Sequence, residues 1–369
     1  MNRSFGNLFC VDLSWWNRQT AWHTSIVVVL MLCVLSLRSD IVLAQDTLPV
    51  DDRRSKVFHI GIDHAPHRDA VDRGMRWLSS VQHTDGSWGS GAFRGSVAVT
   101  SSVMMAMLSA GNTSESGEYA QHVDRAVEFL IRAVQPSGLV RSDEAASHGP
   151  MYGHAFATTV LADLIGECRR KELPNVISRC YALMESSQNE QGGWRYRPER
   201  GDADISVTSA MLIALRAVAD SGQQVDEQIV RRAVAYIESA QNDDGGFRYQ
   251  LEAGAAARPR TAAALAAIMA SGFSKTSSVD RGLKWLETHP VHLVDSDGYT
   301  LYGLSYAAQA YRLRGTDAFD AFRKDIFEPL MHLQKSDGSW SDPSCAEYGT
   351  SAAIIVLLME NSPSPLFAR

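Results

Sequence analysis

The sequence predicts an all-α fold in which six helix pairs close into a ring. Three observations carry that prediction. A motif of Gln, Gly and an aromatic recurs at a nearly fixed step. The stretch before the motif is amphipathic at helical spacing, and the stretch after it is apolar on nearly every face.

The step is 53 residues, from Gln82 to Gln135, Gln188 and Gln241. Gln82 runs to Gly86 and Trp88, Gln188 to Gly192 and Trp194, and Gln241 to Gly245 and Phe247. The next step of 53 lands on Val294, where Gln is lost but Gly298 and Tyr299 keep the register. A last copy, Gln334 to Gly338 and Trp340, follows after 40. A period of this size means stacked supersecondary units that share one core, which overrides the two or three domains that 369 residues alone suggest.

In the first copy Met75, Leu78 and Val81 alternate with Asp72, Arg76 and Ser79, as in a helix wet on one face. The pattern recurs at Arg232–Ala240 and Arg281–Leu286. Asp85-Gly86 stops the first helix, because Gly takes the positive φ of a helix end. The second helices are expected at Val97–Ala110, His154–Ile165, Ile205–Ala219, Thr261–Ala270, Leu301–Leu313 and Tyr348–Met359. A helix apolar all round is buried on both sides. Dry helices inside and amphipathic ones outside close into a ring; an open superhelical solenoid is the competing arrangement.

The first 45 residues are of another composition. Arg3, Arg18 and His23 precede the apolar run Ile26–Leu37, and Val42-Leu43-Ala44 offers a small residue before Gln45. We read a secretory signal, 1–44, cleaved after Ala44, with an uncleaved membrane anchor as the alternative. The product is then exported, periplasmic or extracellular. Residues 45–68 form a polar linker and 69–369 the repeat domain. Past the leader only Cys168, Cys180 and Cys345 remain, too few for a disulfide framework, although Cys168 and Cys180 fall where neighbouring helices would bridge. Apolar content of 45%, charge of 21% and a net charge of -7 without a basic run exclude nucleic acid as a partner. No CxxC, HExxH or paired-His spacing occurs, so no metal or cofactor is expected.

The run Arg-Gly-x-x-aromatic-Leu-x-x-x-Gln-x-x-x-Gly-x-Trp, clearest at Arg73–Trp88, Arg179–Trp194 and Arg232–Phe247, resembles the QW motif of squalene–hopene and oxidosqualene cyclases. Those belong with the protein prenyltransferases among α/α toroids of six helix pairs, and the resemblance extends from about residue 69 to the C-terminus. Gln188–Tyr196 and Gly201–Asp204 look like a subgroup of secreted bacterial single-toroid proteins. The motif itself is architecture: the Gln amide bonds the backbone of a neighbouring helix end and the Trp ring packs between units.

Chemistry is expected where the inner helices begin. Asp202-Ala203-Asp204-Ile205 resembles the Asp-x-Asp-Asp general-acid motif of the squalene–hopene cyclases, which gives Asp204 the place of the proton donor and Asp202 that of its partner. A crowded carboxyl kept neutral protonates an alkene. Ile205 departs from the pattern, and Asp204 also reads as a plain N-cap, whose bonding would lower its pKa and disable it. His148, Tyr152 and His154 lead into the second inner helix, where either His accepts or relays a proton or merely packs a loop. Arg195, Arg248 and Arg260 precede inner helices and suit an anionic head group; solvated arginines need no such role. Tyr299, Tyr302 and Tyr306 offer an aromatic stripe to a cation, or ordinary core. Tyr299 stands where a prenyltransferase carries a thiolate zinc ligand, which argues against zinc-dependent protein prenylation.

The resemblance therefore implies an apolar isoprenoid ligand, bound or cyclised by Asp protonation in a central cavity. It admits contact with a membrane surface and a partner chain over the open face, since full cyclases enclose their cavity between two toroids. The alternatives are a non-catalytic scaffold and a carbohydrate-active toroid with paired carboxylates.

Overall fold

The computed structural model describes residues 66–142, 149–293, 299–360 and 362. The leader, the linker up to residue 65, His148, Val294, Asp297 and Gly298 lie outside them. Twelve α-helices alternate in two roles among the described residues. The outer set is α1 (Pro66–Ser80), α3 (Ala120–Arg132), α5 (Leu173–Ser187), α7 (Glu227–Ser239), α9 (Ser277–Thr288) and α11 (Thr316–His332). The inner set is α2 (Val97–Ser109), α4 (Met151–Asp163), α6 (Ile205–Asp220), α8 (Arg258–Ala270), α10 (Thr300–Arg314) and α12 (Ala346–Leu358). The first helix begins at Pro66, inside the stretch read as linker.

Each inner helix packs on the next, and α12 returns to α2, so the chain is a closed ring rather than an open solenoid. The hydropathy of each helix explains its place. On α1, Val71, Gly74, Met75 and Leu78 are buried at helical spacing while Asp72 and Arg76 are exposed. On α8, every residue from Thr261 to Ala270 is buried, as a helix covered on both sides requires.

The repeated Gln is the joint between units. Gln188 donates to Gly192 O at 2.8 Å and to Ile229 O of the next outer helix at 2.9 Å, and its Oε1 accepts from Arg232. Gln82 does the same with His122 O and Arg125, Gln241 with Ser278 O and Arg281. An Arg on each following outer helix, Arg125, Arg232 or Arg281, thus completes the motif of the preceding repeat. The Trp indole N–H donates backward to the end of its own outer helix, Trp194 to Met184 O at 2.9 Å and Trp88 to Leu78 O at 2.8 Å. The intervening Gly has no substitute: at Gly192 φ is +96°, and a Cβ there would lie 2.3 Å from Arg232 O. Gly192→Ala is expected to lower stability by at least the ~1–2 kcal/mol of a left-handed L-residue, read as a fall in the urea midpoint at constant slope.

The same joint closes the ring between its two ends. Gln334 donates to Ala70 O at 2.8 Å and accepts from Arg73, residues more than 260 positions away. Trp340, 1% exposed, donates to Leu330 O at 2.8 Å and packs against Gly74, where a Cβ would come within 3.0 Å of its ring. Ser90 Oγ donates to Glu347 Oε2 at 2.9 Å, and Ser102 and Ser351 bond across α2 and α12 at 2.7 Å.

Candidate functional site

The sixth residues of four inner helices, Ser102, Phe156, Ala210 and Ser305, line one axial cavity together, so the inner helices run parallel and in register. All their N-termini therefore lie at one rim. The cavity holds about 60 Å³ and is walled further by Met105, Ile213, Tyr306, Gln309, Tyr348 and Ile355. Toward the N-terminal rim it meets tyrosines. Tyr302 and Tyr306 stack edge to face with centroids 4.8 Å apart, and Tyr152 lies against Phe156 and Tyr196 at 6.1 and 6.5 Å. Burial pushes the hydroxyls of Tyr152, Tyr302, Tyr306 and Tyr348 well above the usual tyrosine range. They are neutral donors at any ordinary pH.

Asp204 stands at this rim as the N-cap of α6. Its Oδ1 accepts from Val207 N at 2.9 Å, and the residue is 0% exposed. The other oxygen, Oδ2, is buried without a partner at hydrogen-bond geometry; Arg195 Nε stands 3.9 Å away. Burial raises the carboxyl to about 6, opposed by the Val207 and Ser206 N–H groups, the Arg195 charge and the Tyr249 hydroxyl. Capping and acid readings are thus not exclusive: the cap occupies one oxygen and leaves the other.

Asp202 is a correction. Its carboxylate is exposed and paired with Arg195 at the surface, so it does not crowd Asp204. The shift at Asp204 is a burial effect, not a like-charge one.

His154 is a second correction. It does not face the rim: it is wholly buried beside Cys180 of α5, and its Nδ1 accepts from Val140 N at 3.3 Å. In other repeats the backbone N–H at this position goes to a threonine on the first turns of the inner helix. Trp88 N donates to Thr100, Trp194 N to Thr208, Phe247 N to Thr261 and Trp340 N to Thr350, each at 2.9 or 3.0 Å. His154 is the second repeat's version of that threonine, and burial lowers its ring to about 4, so it is neutral. His154→Thr is expected to preserve fold and any activity at a cost of ~1 kcal/mol, checked by thermal melting and turnover.

The arginines divide. Arg248 spends its donors on Ser239 O, Gln241 O, Asn242 Oδ1 and Leu251 O, and is a loop clamp rather than an anion ligand. Arg195 and Arg260 instead flank the Tyr249 ring, with guanidinium carbons 5.9 and 5.6 Å from its centroid. Tyr299 is 65% exposed before α10, outside the cavity wall. Tyr196, Tyr249, Ser206 and Tyr348 were not selected from the sequence. Tyr196 and Tyr249 carried a signal, since each follows its motif aromatic by two and they lie 53 apart. Cys168, Cys180 and Cys345 are free thiols. Among the described residues no helix is long and apolar enough to cross a membrane.

The family description "Squalene-hopene cyclase C-terminal domain" matches residues 152–298, a stretch that contains Tyr152, Asp204 and Tyr249. The drimenyl diphosphate synthase of Streptomyces showdoensis is 28% identical over 184 residues, 49% of this chain and 32% of that protein. That of Streptantibioticus cattleyicolor is 27% identical over 187 residues with the same coverages. The chain spans about a third of the length of these curated relatives. Among solved structures, the type II terpene cyclase MstE from Scytonema superposes with a TM-score of 0.59 at 14% identity, over 81% of this chain and 98% of its own. The alpha-1,6-mannanase GH76A of Salegentibacter sp. HEL1_6 does so with 0.60 at 9% identity, over 79% and 98%. These structures speak to the fold alone, which terpene cyclases and mannanases share. In sequence, residues 152–298 are similar to the squalene-hopene cyclase C-terminal domain, which makes this ring terpene cyclase-like.

Proposed function

We propose that the protein takes up an isoprenoid chain along the ring axis and that Asp204 protonates an alkene of it, as a type II cyclase does. The observation that carries this reading is the buried, half-satisfied Asp204. Its carboxyl is held to about 6, one oxygen is anchored by the helix cap, and the other faces no donor at bonding geometry. A group so placed is a proton donor in slightly acid to neutral solution, and its position is fixed by the cap. The tyrosine faces beside it suit a developing carbocation, whose charge they attract without reacting. Support also comes from MstE, matched over 98% of its chain by a single ring of this size, so enclosure between two rings is not a general requirement.

A second reading rests on the cavity. At about 60 Å³ it holds roughly two waters, against the several hundred Å³ of ordinary ligand sites. A substrate therefore needs wall side chains such as Phe156 and Tyr306 to move apart; a ring whose axis stays filled would be a scaffold. The protein, expressed with its leader, is incubated with farnesyl diphosphate, geranylgeranyl diphosphate and geranylgeranyl dihydroxybenzoate. Native mass spectrometry reads retention and gas chromatography reads cyclised products. Retention and product support the cyclase reading; neither, with any of the three, leaves the scaffold. Export past the leader is part of the proposal and is checked by fractionating cells.

A further inference from the structure

The axial cavity has a deep wall as well as a rim. Met105, Thr159 and Ile213, the ninth residues of α2, α4 and α6, form it with Gln309 and Ile355, the tenth of α10 and α12. At 1.5 Å per helical residue this layer lies roughly 13–15 Å from the rim that Asp204 caps. Gln309 stands apart in it. The residue is 5% exposed and lines the cavity, and among the described residues its amide makes no hydrogen bond to the protein. A buried amide without a partner costs stability, and one that opens onto a cavity is satisfied by whatever enters it.

The rest of the wall defines what that is. The Thr159 hydroxyl donates to Ala155 O at 2.9 Å, Ser305 to Tyr302 O at 2.8 Å and Ser351 to Tyr348 O at 2.9 Å. Ser102 and Ser351 bond at 2.7 Å, and since the Ser351 proton is committed, Ser102 donates. Ser102, Thr159 and Ser305 therefore offer the cavity lone pairs, while Gln309 supplies the only N–H donors among the described lining residues. None of those residues is charged. A neutral hydroxyl suits this set, because it accepts from the amide and donates to an oxygen beside it. A diphosphate does not, because its charges would be buried without a cation. Arg195 and Arg260 stand at the other end, beside Tyr249.

We propose that the isoprenoid taken up along the axis ends in a neutral hydroxyl, which the Gln309 amide holds at the deep wall while the alkene end meets Asp204. The substrate class is then a prenyl alcohol rather than a prenyl diphosphate. This rests on the acid role of Asp204 proposed above, which fixes the end of the chain that stands at the rim. No bond to the hydroxyl forms or breaks. Gln309 binds and orients the chain, and it determines specificity.

The test measures affinity in the full chain carrying Asp204→Asn, which leaves the ligand unreacted, by titration followed with native mass spectrometry. The probes are geranylgeraniol, geranylgeranyl diphosphate and the same hydrocarbon chain without a hydroxyl. Geranylgeraniol should bind roughly tenfold more tightly than either of the others. Adding Gln309→Leu should erase the advantage over the hydrocarbon and leave the hydrocarbon bound as well as before. The added substitution should not lower the melting temperature, since the amide it removes bonds nothing in the fold. Gln309→Met, equally long, is measured beside it. A hydroxyl preference that survives in either folded variant overturns the proposal, as does a diphosphate bound as tightly as the alcohol. Alcohol and hydrocarbon bound alike, and both weakened by Gln309→Leu, would mean that the amide holds a water instead, which also overturns it. Product from geranylgeraniol with the parent chain judges the acid role separately. Product without a Gln309-dependent preference defeats only the alcohol assignment; that preference without product defeats only the cyclase reading.

Discussion

Asp204→Asn is expected to abolish proton transfer while making the protein more stable at pH 7.5. The two effects have one source. The folded carboxyl sits at about 6, against an ordinary 3.8, so between these values the folded state keeps a proton that the unfolded state releases. For this group stability is full below about 4 and is lost as pH rises through about 6. At about 1.4 kcal/mol per pH unit the loss at pH 7.5 is on the order of 2–3 kcal/mol. Asparagine removes the buried charge and remains a good cap, accepting from Val207 N as Asp does. Chemical denaturation at pH 4 and pH 7.5 should show that the variant's advantage exists only at the higher pH. Any cyclisation by the parent should decline as pH rises through about 6, and the variant should fall by several orders of magnitude at all pH values. A destabilised variant at pH 7.5 would mean that the carboxylate is compensated in the fold, by Arg195 above all.

Trp340→Ala is expected to cost about 3–5 kcal/mol, the largest effect of any single side chain at the ring closure. The indole is almost wholly buried, its N–H satisfies Leu330 O at the end of α11, and its ring covers Gly74 of α1. Truncation leaves a cavity and an orphaned carbonyl in the same place. Trp194→Ala removes the same contacts between two interior repeats. If the two variants lose equal stability, closure is one joint among equals. A larger loss for Trp340→Ala, measured by urea unfolding, would mark the joint between the first and last units as the one on which the ring depends most.

The ring was legible because its determinants repeat. A Gln, a Gly with positive φ and a buried aromatic recur together at four of the joints, and the recurring Arg proved to be the partner of the preceding Gln. The site was legible only in part. Asp204 stood out by its place before a helix and by the carboxylate two residues earlier. Which of the two is buried, however, depends on the loop of the next repeat, where Tyr249 and Gln250 cover Ala203 and Ile205. His154 misled because histidine is rare and suggests chemistry. The threonines at the matching place in other repeats were the counter-signal, and it shows only when repeats are aligned by their structure. Arg248 misled for a related reason: a charge counted as available was already saturated by carbonyls of its own loop.

The bonds of Gln334 to Ala70 and Arg73 also bear on how the chain reaches its native state. An open array of repeats can begin folding anywhere and fray at either end, each unit depending only on its neighbours. Here the first and last units are neighbours, so no unit is terminal and fraying has no place to start. The contacts that close the circle join residues more than 260 positions apart, and their loop entropy is met only when the other joints exist. Closure should therefore come last in folding and yield first in unfolding, which makes the seam a gate for kinetic stability. Substitutions there should change the unfolding rate far more than the folding rate.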